Sequence, residues 1–299
     1  MPPSTRRPSQ HLNAGLPIVA AISRIRRRLA RLAVPDVHRL LQPFTHGLPP
    51  GTLVFRCNIC GAICRTLVEN LQRESAHCPT CDSSMRYRAV IHHLSLGLFG
   101  RSLCIDEFPQ DAHCLAGIGM SDSDKYAMRL AKRLAYTNTY YHQEPRFDIQ
   151  NAPPEYERRF AFVISSDVLE HVAPPVEHAF RNLHRVLVPG GTLVLTVPFA
   201  TEGDTVEHFP DLFDYRLAKQ DDRYVLHNTT ANGRLQAFDR LCFHGGPGST
   251  LEMRLFSESA LRKHLSEAGF SNICVHREPA FEWGVFWNAP WSVPITATA

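Results

Sequence analysis

The chain has 299 residues, of which 44% are hydrophobic and 20% charged, and its formal net charge is +3. That length suits one or two domains with a sizeable core, and no apolar run approaches the roughly 20 residues that span a bilayer. Residues 1–35 contain seven arginines and no acid, so the rest of the chain carries a charge of −4. A body of that charge is not expected to form a broad nucleic-acid-binding surface.

The cysteines indicate a reducing compartment. There are nine of them, an odd number, and four form two CxxC pairs. This usage favours metal binding over a disulfide framework. We therefore expect a cytoplasmic protein.

Residues 1–50 are predicted to form a basic, partly disordered segment that contains one amphipathic helix. Apolar residues recur at helical spacing from Ile18 to Leu32, while arginines occupy the other faces. Such a helix could contact an anionic membrane through residues 18–33, target an organelle or touch RNA. It could equally dock on the body of the protein through its apolar stripe.

Residues 51–90 are predicted to form a zinc ribbon. Each CxxC turn directs two thiolates at one point, and two such turns at this separation suit tetrahedral Zn²⁺. Such a closed site leaves no position for a substrate, so its role would be structural. Cys64 is a spare thiol that either packs as a small apolar residue or replaces one of the four. The predicted metal ligands are Cys57, Cys60, Cys78 and Cys81.

The segment from Ala161 to Phe199 gives the clearest structural pattern. A buried strand over Ala161–Ser165 ends in a polar run, Ser166–His171. A helix then follows the two prolines at 174 and 175, and the sequence Pro-Gly-Gly at 189–191 is predicted to end it before a second strand, Thr192–Val197. Open α/β sheets bind ligands at the carboxyl ends of such strands.

At these residues the chain resembles the class I S-adenosylmethionine-dependent methyltransferases, in particular the type 11 group. The resemblance lies in SSDVLEHV followed by RVLVPGG and an apolar strand, and it extends over roughly Ala112–Val275. It implies an α/β fold with a Rossmann-like doubly wound sheet over residues 91–299. Some members of the group also carry a cysteine module whose end is similar to CPTCDSSMRYRAV.

The resemblance further implies residues that bind S-adenosylmethionine. The turn after the first strand would approach its methionine end, although the family's longer glycine pattern is missing here. The acid expected after the second strand, Thr137–His142, is replaced by tyrosines, and a glutamate just beyond is the candidate for the ribose. The implied cofactor-binding residues are Gly117, Gly119, Asp122, Glu144, Asp148, Ile149, Ser166 and Asp167.

Residues 200–250 are predicted to form a lid insertion, because the segment is too long for a simple connection. His208 and His244 in the lid, and His171 before it, are candidate catalytic bases. Loop packing, helix capping or lid contacts are the alternative roles for these three. The aromatic tail from Phe281 to Trp291 is expected to fold back near the substrate pocket.

These patterns predict an enzyme that transfers a methyl group to an oxygen or nitrogen atom of a small-molecule or sugar acceptor. Fold alone does not identify the acceptor. An RNA-modifying enzyme that uses the ribbon and the basic amino terminus is one alternative. A non-catalytic scaffold that keeps the methyltransferase fold is another.

Overall fold

The computed structural model describes residues 15–31, 40–221, 223–244, 248 and 250–299. The predicted disorder before Gly15, the end of the first helix at Leu32, and the lid residues Gly245 and Gly246 lie outside these ranges. Within them, no helix is both long and apolar enough to cross a membrane.

The described residues contain five α-helices. Their bounds are α1 Gly15–Ala30, α2 Met85–Phe99, α3 Asp124–Ala131, α4 Glu177–Val186 and α5 Glu258–Glu267. The strands before the lid are β1 Thr52–Arg56, β2 Ile63–Leu67, β3 Ala116–Met120, β4 Ala135–Thr139, β5 Phe160–Ser166 and β6 Leu187–Thr196. The later strands are β7 Phe199–Ala200, β8 Val206–Glu207, β9 Asp214–Gln220, β10 Arg223–Thr229, β11 Leu235–Phe238, β12 Phe243–His244, β13 Thr250–Leu251, β14 Arg254–Ser257, β15 Ser271–Val275 and β16 Ile295–Thr298.

Six strands form the central sheet, in the order β15-β16-β6-β5-β3-β4. The four strands β4, β3, β5 and β6 are parallel, whereas β16 runs antiparallel to both β6 and β15. The predicted α/β class is therefore correct, with a mixed sheet. Because the four parallel strands point the same way, the loops that follow them meet at one edge, called here the carboxyl edge.

Both faces of the sheet are covered, which explains the continuous apolar run in β5. Phe162 and Ile164 pack into one buried cluster with residues of α1, α2 and α3. The intervening Val163 packs into a second cluster with residues of α4 and α5. Successive side chains of a strand point to opposite faces, so a strand covered on both sides has apolar residues at every position.

Two local predictions were wrong. The Pro-Gly-Gly sequence at 189–191 does not separate helix from strand, because α4 already ends at Val186 and β6 pairs from Leu187 onward, with an irregularity in register. The apolar segment Leu103–Ile105 likewise predicts a short strand. That segment is buried but lies outside any strand, and a 3₁₀ turn begins at Ile105, whose N–H donates to the Asn58 carbonyl at 2.8 Å.

Helix α1 docks on the body of the protein. Ile22, Ile25 and Leu29 are buried in the same cluster as α2 and α3. The Arg26 guanidinium also donates to the Leu98 carbonyl at 3.1 Å, at the end of α2. Of the alternatives given above, the structure therefore shows the docked helix. Its apolar stripe packs against the body of the protein.

The lid segment contains regular structure. Strands β11, β10 and β9 form an antiparallel sheet, and β14 joins β7 and β8. Phe209, Leu226 and Met253 give this part a small core of its own. Its strands escaped sequence prediction because every residue of β9 except the half-buried Ala218 is exposed, so no alternation of apolar and polar residues marks it.

The carboxyl-terminal tail packs against the cysteine module and then enters the sheet. Trp283 is buried beside Ala89 of α2, and β16 lies between β15 and β6. The Asn288 side-chain amide donates to the Leu71 carbonyl at 2.9 Å. The tail thus connects the module to the sheet.

Candidate active site

The loop after β5 brings polar groups to the centre of the carboxyl edge. Asp167 has a left-handed backbone, with φ +56°, and its N–H donates to the Thr196 carbonyl at 2.8 Å. The Thr196 hydroxyl lies 2.8 Å from the Ser166 hydroxyl and donates to the Asp167 carboxylate at 3.2 Å. The ends of β5 and β6 therefore hold the two predicted cofactor residues, Ser166 and Asp167, side by side.

Two arginines of the cysteine module lie over this loop. Arg86 donates to the Ser166 hydroxyl at 2.7 Å and pairs with the Asp167 carboxylate at 3.3 Å. Arg73 also pairs with Asp167, and both arginines contact Glu74. Burial alone would raise the pKa of the Asp167 carboxyl, but the charges of Arg73 and Arg86 outweigh it and hold that pKa below its usual range.

The tail reaches the same place. Arg73 donates to the Ser292 hydroxyl at 2.6 Å, and its guanidinium lies 6.0 Å from the ring centre of Trp291. Arg73 therefore contacts the loop after β5, Glu74 of the module and the tail. The tail was expected to fold back near the substrate pocket, and Trp291 and Ser292 do lie beside the carboxyl edge.

The four predicted ribbon thiols converge. Their sulfur atoms all lie within 4.8 Å of one another, with 3.6 Å between Cys57 and Cys81 and 3.5 Å between Cys60 and Cys78. Cys64 is buried but outside this quartet, and it pairs with Phe55 across the β1–β2 hairpin.

A buried cation accompanies the quartet. Arg88 of α2 is fully buried and donates to the carbonyls of Ser83, Trp283 and Gly284 at 2.8 to 3.0 Å. Burial lowers its pKa, and the neighbouring cysteines act in the opposite direction. Four thiolates around a divalent ion would carry two net negative charges, and a buried arginine beside them would offset one.

Gly117 and Gly119 were predicted to form a turn after the first strand, but both lie inside β3, and packing explains their presence. A Cβ on Gly117 would lie 2.2 Å from the Phe162 ring. A Cβ on Gly119 would lie 2.0 Å from the Asp122 carboxylate and 2.2 Å from the Tyr136 hydroxyl. Both glycines therefore make room for protein side chains, and this close packing alone accounts for their presence.

Asp122 is buried where the ends of β3 and β4 meet. One oxygen of its carboxyl accepts from the Tyr136 hydroxyl at 2.5 Å, whereas Oδ1 accepts no hydrogen bond from the described residues. Its N–H donates to the Asn138 side chain at 2.9 Å. Burial raises the pKa of this carboxyl to about 6.

The remaining predicted cofactor residues lie after β4. Glu144 is exposed, and its carboxylate accepts from the Arg146 N–H at 3.0 Å. The Asp148 carboxylate accepts from the N–H of Gln150 at 2.9 Å and so begins a short 3₁₀ turn, in which Ile149 is buried. The ribose and adenine roles of these residues stay predictions.

The three predicted catalytic histidines surround a glutamate that the sequence analysis did not select. The Glu252 carboxylate lies 2.8 Å from Nε2 of His208 and 2.8 Å from Nε2 of His244. The rings of His171 and His244 meet edge to face, with their centres 4.8 Å apart. Glu252 precedes β14 within the phrase STLEMR, where no motif distinguishes it from a surface residue.

Glu170 lies against this group and belongs to the loop that carries Asp167. It is 1% exposed, and neither carboxylate oxygen has a hydrogen-bond partner among the described residues. Its Oε1 is 3.7 Å from Nε2 of His171. Burial raises the pKa of the Glu170 carboxyl well above its usual range, and burial lowers the pKa of His171.

Comparison with known proteins gives the family. A family model described as a methyltransferase domain matches residues 65–275, and no curated protein matches the chain. Among solved structures, the chain is similar to the 1,6-didemethyltoxoflavin-N1-methyltransferase of Burkholderia thailandensis, with 18% identity, 72% of this chain and 77% of that chain covered, and a TM-score of 0.39.

Two further similar structures are the CcbJ methyltransferase of Streptomyces caelestis and the sugar N-methyltransferase KedS8 of Streptoalloteichus sp. The first has 14% identity over 74% of this chain and 95% of that chain, with a TM-score of 0.39. The second has 14% identity over 62% of this chain and 80% of that chain, with a TM-score of 0.37. Since the family model spans most of the sequence, the chain belongs to the methyltransferase domain family and is an S-adenosylmethionine-dependent methyltransferase.

Proposed function

We propose that this enzyme transfers a methyl group from S-adenosylmethionine to an oxygen or nitrogen atom of a small-molecule or sugar acceptor. One observation carries the proposal. The loop after β5 joins a group of paired opposite charges, Arg73, Arg86 and Asp167, to the cluster of histidines around Glu252. The first group suits the cofactor, and the second suits an acceptor proton.

The methionine end of the cofactor is an amino-acid zwitterion, and the first group offers both complementary signs. Asp167 would hold the ammonium, while Arg73 and Arg86 would hold the carboxylate. When bound, the cofactor supplies an electrophilic methyl on a sulfonium, so the protein must mainly align the acceptor and exclude water.

The rest of the cofactor would extend over the ends of β3 and β4. The unpartnered Asp122 Oδ1 is an acceptor available for a donor group. Gly117 and Gly119 would support this turn indirectly, through their packing. Glu144 for the ribose, and Asp148 with Ile149 for adenine, remain part of the proposal.

On the acceptor side, His208 is the proposed base. Its Nε2 faces the Glu252 carboxylate, which would stabilise the imidazolium formed after proton removal. The other ring nitrogen would then face the acceptor. His171 and His244 complete the wall of this region.

A neutral acceptor with hydroxyl or amino groups fits the surroundings. The carboxylates of Glu170 and Glu252 would repel phosphate groups, which disfavours an RNA acceptor. Tyr141, Phe213 and Tyr215 expose aromatic surface, which suits stacking on a ring. Acceptor binding that changes little between 50 and 300 mM salt would support this class, whereas a steep loss would favour RNA.

We further propose that the four converging thiols hold a structural Zn²⁺. The distances between their sulfur atoms are compatible with a tetrahedral ion, and Arg88 would offset one of the two net negative charges. The boundaries of 51–90 for this module and 91–299 for the catalytic domain also remain proposals.

The test is calorimetric titration of the zinc-loaded protein with S-adenosylmethionine and S-adenosylhomocysteine. Micromolar binding is expected in the wild type, with an affinity at least about ten-fold lower in Asp167→Asn, since a charged pair with the ammonium is lost. A Gly117 variant is unsuitable, because Phe162 fills the space beside that glycine. Glu157→Gln, at an exposed carboxylate just before the amino end of β5, serves as the control.

Methyl transfer is measured separately, as S-adenosylhomocysteine released with a panel of sugar and small-molecule acceptors. His208→Ala should bind cofactor normally and lose about 10²–10⁴-fold in turnover. A well-folded wild type that binds neither cofactor form would overturn the proposal.

A further inference from the structure

A second group of metal-ligating side chains lies apart from the four cysteines. It contains Glu170, His171 and His244. Each of these residues has a possible ligand atom, and the three atoms lie within 4.8 Å of one another. A similar relation joins His244 to Glu252 and Cys242. The set Glu170, His171, His244 and Glu252 is called here the His–Glu cluster.

Glu170 lacks the partner that a buried carboxylate requires. It is 1% exposed, and both of its oxygens are without a hydrogen bond from the described residues. Buried polar groups are almost always satisfied, so such a carboxylate points to a missing ligand. Nε2 of His171 lies 3.7 Å from Oε1 of Glu170, which is too far for a hydrogen bond.

His171 is oriented as metal-binding histidines are. Its Nδ1 lies 2.9 Å from the Leu251 carbonyl, which can only accept a hydrogen bond. Nδ1 therefore carries the proton, and the lone pair of Nε2 is directed towards Glu170. A ligating imidazole commonly donates its other N–H to a backbone carbonyl in this way.

The charges around the cluster also favour a cation. Glu170 and Glu252 each have a carboxylate oxygen within 4.8 Å of a ring nitrogen of His244, and Asp167 is a further negative charge that acts on Glu170. The nearby Arg254 is paired with Glu207, at 2.6 Å, and donates to the carbonyls of Leu169 and Val172. These bonds occupy Nε and Nη1 of its guanidinium.

From this geometry we propose that Glu170, His171 and His244 bind one divalent first-row transition ion. Two imidazoles and one carboxylate suit ions such as Mn²⁺ or Zn²⁺ and leave coordination positions open. Glu252 is placed to orient His244 or to add a fourth ligand. If the proposed methyl transfer is correct, the open positions would face an acceptor oxygen, but ion binding itself does not depend on that function.

The first experiment takes protein that holds a single equivalent of Zn²⁺, which the thiolates bind preferentially, titrates it with Mn²⁺ and follows the free ion by electron paramagnetic resonance. Mn²⁺ prefers oxygen and nitrogen ligands and does not displace Zn²⁺ from thiolates, so it reports on the His–Glu cluster alone. We expect one bound Mn²⁺ per chain. In parallel, total zinc after dialysis against micromolar Zn²⁺ should be two equivalents, as measured by elemental analysis.

Variants locate the ion. Glu170→Gln is nearly isosteric and should weaken Mn²⁺ binding at least about ten-fold, as should His171→Ala, because each removes one of three ligands. His227→Ala removes a histidine of β10 that is bonded to Gln220 instead, and it should leave the titration unchanged. Each variant is checked for retained Zn²⁺ in the cysteine site, which reports that it has folded.

Two results would overturn the proposal. One is a folded protein that binds no Mn²⁺ and holds only one equivalent of zinc. The other is ion binding that survives Glu170→Gln but is lost in Cys242→Ser, which would place the ion at the alternative group around Glu252.

Discussion

The buried carboxyl group of Asp122 lies at the carboxyl edge of the sheet. Its titration should make the free energy of unfolding depend on pH. Its pKa is raised from the ordinary value of 3.8 to about 6, so between these pH values the folded state binds more protons than the unfolded state. Stability therefore falls as the pH rises through this window. From pH 5 to 7.5 the expected contribution of Asp122 is a loss of about 1.4 kcal/mol.

The Asp122→Asn variant tests this. An amide can still accept from the Tyr136 hydroxyl but does not titrate, so the variant should lack that part of the pH dependence. The measurement is urea unfolding at pH 5, 6, 7 and 7.5, with the difference between variant and wild type taken at each pH. A difference that is constant across the series would contradict the assigned pKa.

Gly119 is sensitive for steric reasons. The added methyl of Gly119→Ala would meet the Asp122 carboxylate and the Tyr136 hydroxyl, and overpacking of this kind costs about 1–3 kcal/mol. We expect the free energy of unfolding in denaturant to fall by that amount. Combining it with Tyr136→Phe removes one of the two clashes, so the double variant should lose less than the sum of the single variants.

The docking of helix α1 on the body of the protein can be tested by its contribution to stability. Ile25 is 1% exposed against α2 and α3, so Ile25→Ala should lower the free energy of unfolding by about 2–4 kcal/mol. Arg27→Ala, on the exposed side of the same helix, should change it by no more than about 0.5 kcal/mol. Equal effects of the two variants would show that the helix is not docked in solution.

The same helix shows how far the sequence could lead. Its spacing predicted the apolar stripe correctly, but the pattern could not decide between a membrane and the protein as partner, since both bury the same face. Strands β4 and β5 were placed to within three residues of their observed bounds, because buried parallel strands leave clear local signals. Strand β16 was missed, since ITAT alone carries no signal before its neighbours β6 and β15 are known.

The candidate site was predictable only in part, for a similar reason. Residues on the loop after β5 stood out because the polar run follows a buried strand. Arg73 and Glu252, in contrast, act through partners 94 and 44 residues away in the chain. Nothing in their local sequence separates them from surface charges, so only the tertiary fold brings them to the site.

Over the whole molecule, the cysteine module and the tail form one side of the carboxyl edge. Arg88 connects the module to Trp283 and Gly284 of the tail, while Arg73 and Arg86 extend from the module to Asp167. The module is therefore placed to control the geometry of the proposed cofactor site without touching the acceptor.

If the four thiols hold Zn²⁺ as proposed, its removal should weaken cofactor binding. Without the ion, the two CxxC turns lose the bond that holds them together, and Arg73 and Arg86 lose their fixed positions over Asp167. We expect chelated protein to melt at a lower temperature and to bind S-adenosylhomocysteine at least about ten-fold more weakly, as measured by calorimetry. Restoring Zn²⁺ should restore both properties.

A variant separates the role of the arginines from general unfolding. Arg86→Met keeps the four thiols and most of the apolar side-chain length, so it should retain zinc and near-normal melting while losing a comparable share of cofactor affinity. Because Arg86 also holds down the pKa of Asp167, that loss should be largest at low pH, where the Asp167 carboxylate becomes protonated more readily. If chelated protein stays folded and binds S-adenosylhomocysteine as tightly as the zinc form, the module does not shape the cofactor site, and its arginines pair with Asp167 for stability alone.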